Sequence, residues 1–124
     1  MKHRVKCTLC GNPLTTWLEL VSSDFDPEWK DGENVIPQGK YWIVDDGMVN
    51  LEGQILIHLD DRLNLTNHPE SERWVGCCGP SAGMPNQLCG KCGAEVATEV
   101  SDCWTSYYVH FEQDKTDLMA ESDL

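Results

Sequence analysis

The chain has no apolar run near the roughly 20 residues that a membrane-spanning helix needs. Its opening, Met1-Lys2-His3-Arg4-Val5-Lys6-Cys7, is basic with no apolar stretch behind it, unlike a secretory signal. The cytosol is therefore the expected location. Bases are scarce: 9 Lys and Arg stand against 21 Asp and Glu, a formal net charge of −12. That balance repels the phosphate backbone of nucleic acids. Also missing are a Gly-rich phosphate loop, a G-x-S-x-G elbow and an H-E-x-x-H helix. The Gly79-Pro80-Ser81-Ala82-Gly83 stretch lacks the Lys and the helix that would cradle phosphate. No repeat or low-complexity block interrupts the chain.

What is present fits one small domain of 124 residues. Residues 1–113 are expected to form it, and 114–124 to be an acidic, flexible tail. Apolar residues recur with a period of two wherever a pattern can be read, which predicts strands rather than helices. Strands are expected at the start of the chain, over Thr15–Val21, Lys40–Asp45, Gln54–Leu59 and Ala94–Val100, and around Tyr107–Phe111. Residues 22–39 carry Pro27, Pro37, Gly32 and Gly39 and read as a long loop with a helical turn near Pro27. Asp46-Gly47 marks a tight turn, residues 60–73 read as loop with room for a short helix, and 76–93 as irregular. The expected fold class is mainly β: a small antiparallel sheet domain with little helix, closed by a four-cysteine site.

Seven cysteines are an odd number for a disulfide framework. Four of them form two matched units, Cys7-Thr8-Leu9-Cys10-Gly11 and Cys89-Gly90-Lys91-Cys92-Gly93. A C-x-x-C turn places two sulfurs on one side of a tight bend, and Gly after the second Cys permits the backbone twist that the bend requires. These two units resemble the knuckles of the zinc ribbon and rubredoxin-type family. The resemblance implies four ligands, Cys7, Cys10, Cys89 and Cys92, and a structural ion. Zinc is the expected cofactor because thiolate tetrahedra suit it, and iron fits the same ligands. Zinc pairs usually lie about 15–20 residues apart, whereas 78 residues separate Cys10 from Cys89. Closure entropy grows only with the logarithm of loop length, so a long insertion is tolerable.

Cys77, Cys78 and Cys103 are left over. They read as buried structural thiols, as members of a second metal site, or as a reactive thiol, for which Arg73 and Lys91 are the nearby bases. The wider pattern from Gly76-Cys77-Cys78-Gly79 to Cys103-Trp104 resembles small cysteine-rich bacterial proteins, a likeness that implies no role. His58 with Asp60 and Asp61 reads as a strand end entering a turn, with metal binding or acid–base chemistry as the alternative. His110, between Val109 and Phe111, is expected on the solvent face. His3 and His68 have no local partner. The five Trp read as core, Trp29 being the most exposed.

Four ligands leave no open coordination position, so metal-assisted hydrolysis is not expected. The function the sequence suggests is a zinc-stabilised acidic protein-interaction module, an inhibitor or immunity-type partner of a basic protein. The alternative is a thiol-dependent enzyme or redox sensor using Cys77 or Cys78. A third use, nucleic-acid binding through Lys2, Arg4 and Lys6, is opposed by the charge.

Overall fold

A computed structural model describes residues 2–45, 51–74, 76, 79–80 and 84–123. Nine strands appear in it: β1 (His3–Cys7), β2 (Glu19–Leu20), β3 (Lys40–Ile43), β4 (Ile55–Ile57), β5 (Leu65–Asn67), β6 (Gln87–Cys89), β7 (Glu95–Val100), β8 (Tyr108–Phe111) and β9 (Thr116–Ala120). Among the described residues only single 3₁₀ turns accompany them, at Leu59–Asp61, Ser71–Arg73 and Glu121–Asp123. The protein is mainly β, as the two-residue period requires.

Seven strands form one sheet in the order β2-β3-β4-β8-β7-β6-β5. All its pairings are antiparallel except β2 with β3. The other sheet pairs β1 with β9. The segment after the first knuckle runs back along the far side of β1, bridging Pro13 to Lys6 and Leu18 to His3. This small layer covers one face of the large sheet. Val5, Leu14 and Leu18 pack there against Tyr41, Ile57, Val96, Val109 and Phe111. The opposite face buries Trp42, Val44 and Leu56 with Val35, Ile36 and Leu51. Neighbours Tyr41 and Trp42 enter different clusters because successive strand side chains point to opposite faces.

Several expectations need correction. Residues 116–120, expected within a tail, form a strand: β9 pairs with all five residues of β1, and Thr116 is buried opposite Cys7. Leu118 on that strand packs against the core, which a short apolar signal among acids had concealed. Within Thr15–Val21 only Glu19–Leu20 is strand; the preceding residues bridge β1 and Arg62 instead. β5 lies in the supposed 60–73 loop, and β6 in the supposed irregular segment. Both are three-residue strands, too short to show a period. His110 is not on a solvent face. It is buried beside Leu56, because that face of the sheet carries the second core. No helical turn forms near Pro27. The Asp46-Gly47 turn lies outside the described residues.

Candidate metal centre

Each knuckle is the turn of a hairpin. The first joins β1 to the 13–18 segment, and the second joins β6 to β7. Their backbones match bond for bond. Cys7 N–H donates to Asn12 O at 2.9 Å, and Gly11 N–H donates to Cys7 O at 2.8 Å. Cys89 N–H donates to Ala94 O at 2.9 Å, and Gly93 N–H donates to Cys89 O at 2.9 Å. The glycines close the turns at φ of +76° and +78°, a region that disfavours a Cβ. Matching sequence thus becomes matching local structure.

Tertiary packing brings the two turns face to face. The Sγ atoms of Cys7, Cys10, Cys89 and Cys92 all lie within 4.8 Å of one another. Two close approaches cross between the knuckles: Cys7 to Cys92 at 3.6 Å and Cys10 to Cys89 at 3.5 Å. Disulfide sulfurs sit about 2.05 Å apart, so these are separate thiols. Four sulfurs each about 2.3 Å from a central ion define a tetrahedron with edges of about 3.8 Å. The observed approaches fall just inside that edge, so the four cysteines could hold one metal ion. They are the only such group of His, Cys, Asp or Glu among the described residues.

Electrostatics favour a cation at the centre. Burial pushes the Cys89 thiol up, but backbone N–H groups of Cys92 and Lys91, the Asn12 amide and Cys10 together bring it down to about 6. Cys10 goes the other way. The Asn12 N–H lowers it, yet desolvation and the neighbouring Cys89, Cys92 and Cys7 drive it up to about 12. Four thiolates so close repel each other unless a positive charge stands among them. Asn12 escaped the sequence reading. Its Nδ2 lies 3.5 Å from Cys89 Sγ, tying the first knuckle to a sulfur of the second. Its place directly after Gly11 was the available signal.

The remaining candidates are dispersed. Cys77 and Cys78 lie outside the described residues. Cys103 belongs to no metal-sized cluster among the described residues. His58 Nδ1 accepts the Asp60 N–H at 3.0 Å and caps the 3₁₀ turn. Asp61 is buried, accepting Gly39 N–H at 2.7 Å. These contacts are structural. His68, unassigned from sequence, is buried with Nδ1 accepting the Glu70 N–H at 3.1 Å. Its Nε2 therefore carries the proton and donates to Glu95 at 3.0 Å, while Arg73 approaches the same carboxylate at 3.2 Å. His68, first among these, holds the Glu95 carboxyl below its ordinary range. The group fastens residues 68–74 to the start of β7. Of the five Trp, Trp42 is core, but Trp104 is the most exposed large apolar side chain among the described residues, at 74%.

Comparisons with family models, with curated proteins and with solved structures find no match. No helix among the described residues is long and apolar enough to cross a membrane.

Proposed function

We propose that the protein is a zinc-stabilised acidic interaction module whose partner is a basic protein, in the manner of an inhibitor or immunity protein. One observation carries the zinc half: four sulfurs from two knuckles, far apart in the chain, converge within 4.8 Å of one another. Zinc suits such a site because it has no redox chemistry and accepts four thiolates without geometric penalty. With every position held by sulfur the ion would be structural, joining the β1 hairpin to the β6–β7 hairpin. It would take the net charge to about −14 once the ligands ionise.

The interaction half is supported by charge. Asp24, Asp26, Glu28, Asp31 and Glu33 are all exposed on the loop between β2 and β3. Lys30 is the only base among them and is already paired with Glu28 at 3.0 Å. Such a field accelerates encounter with a positively charged partner. Elemental analysis of the purified protein tests the metal, with one zinc per chain expected and none fatal to the reading. Affinity capture from a lysate at low and high ionic strength tests the partner. A basic protein retained at low salt and released at high salt supports the proposal. Retention indifferent to salt would contradict it.

A further inference from the structure

The layer made by the 13–18 segment, β1 and β9 ends at β9, and the hydrogen bonds show which way each peptide group of that strand points. Glu121 N–H donates to Lys2 O, and Thr8 N–H donates to Lys115 O. Odd-numbered residues at the ends of β9 therefore bond to β1, and the ladder repeats every second residue. The residues between them turn N–H and C=O away from β1. Leu118, opposite Val5, is one of these. Among the described residues no strand pairs with this outer edge of β9.

Beside the edge lies a groove of about 210 Å³, lined by Ile43, Ile55, Phe111, Leu118 and Asp117 among others. Ile43 and Ile55 are register partners on β3 and β4. Continuing the Leu56–His110 register brings Ile55 beside Phe111. An apolar row thus crosses three strands of the large sheet. The small layer covers it at Phe111 but leaves Ile43 39% exposed. One more strand against β9 would satisfy Leu118 and cover the row in the same step.

We propose that β9 accepts an extended segment of the partner by strand addition, with apolar side chains facing Ile43 and Ile55 and basic side chains alternating with them. This rests on the basic-partner reading above. Among the described residues Asp117 is the one charged residue lining the groove, and it is exposed. A second copy of this chain fits poorly, because it would bring another charge of −12 to the same edge.

The test uses the full chain, purified in zinc-containing buffer, to select from a phage-displayed library of random short peptides. Selected peptides should alternate apolar and basic residues and should slow hydrogen exchange at the Leu118 amide. A semisynthetic protein carrying N-methyl-leucine at 118 keeps the side chain and leaves the Asp117 and Met119 amides, which face β1, intact. Unchanged exchange at those two amides confirms its fold. Peptide binding to it should weaken about tenfold or more, since strand pairing loses a hydrogen bond and meets a methyl group. Basic peptides that bind the N-methyl protein equally well would overturn the edge proposal while sparing the basic-partner reading. Failure to select any peptide, or selection of acidic or uncharged ones, would overturn the edge proposal, while the salt-dependent capture described above decides the basic-partner reading separately. Self-association abolished by the N-methyl group would make a second copy the occupant and also overturn the proposal.

Discussion

Cys92→Ser is the most discriminating perturbation of the metal centre. Cys7 and Cys89 are buried, so replacing either mixes lost coordination with a packing and polarity defect. Cys92 is exposed, and serine there meets water at little cost. Its removal reports mainly on the ion. The ion bridges two hairpins across the 78 residues between Cys10 and Cys89. Treated as a cross-link, closure of a loop that long contributes about 4.5 kcal/mol. A chain of this length has an unfolding entropy near 0.26 kcal/mol/K, so losing the cross-link lowers the melting temperature by about 17 °C. The assay is a pair of thermal melts with zinc and a pair with chelator. The variant should melt well below the parent in zinc, and the two should coincide once the metal is stripped. Equal melting temperatures in zinc would refute the bridging role, whatever the distances between the sulfurs. A difference that persists in chelator would assign the loss to packing instead.

Other consequences can be checked independently. Gly93→Val should cost about 1–2 kcal/mol and weaken metal binding, measured by chelator competition, because φ is +78° while the space around the Cβ is open. Truncation after Gln113 should lower the unfolding free energy from urea melts by more than about 3 kcal/mol, since it removes all of β9 from one side of β1 together with the buried Thr116; a flexible tail would cost nothing. Burial holds His110 down to about 4. The unfolded chain therefore takes up a proton near pH 6.5 that the folded one refuses, and stability falls as pH drops from about 6.5 to 4 by up to about 1.4 kcal/mol per unit. His110→Gln should remove that component from urea melts compared between pH 7 and 5; an identical pH slope would show that His110 is not the cause.

The four candidate ligands were legible in the sequence because a C-x-x-C-G knuckle is a local object. Its turn geometry, its glycine at positive φ and its pair of sulfurs are set within a few residues. The β class was legible for a related reason: the alternation at Val96, Thr98 and Val100, or at Tyr107, Val109 and Phe111, needs only the two-residue pleat. Tertiary structure alone decided the rest. Whether the knuckles meet depends on packing of the β1 layer over the large sheet, a non-local outcome. His110 was misplaced because alternation separates two faces without saying that both are buried. β9 was mistaken for a tail because five residues with one acid and modest apolarity become a strand only when β1 supplies the other half of the ladder. Residues such as His68 and Glu95, distant in the chain, find each other only after the sheet has formed. Local rules choose the conformation of a segment, but the free energy that makes it stay comes from surfaces contributed by other segments.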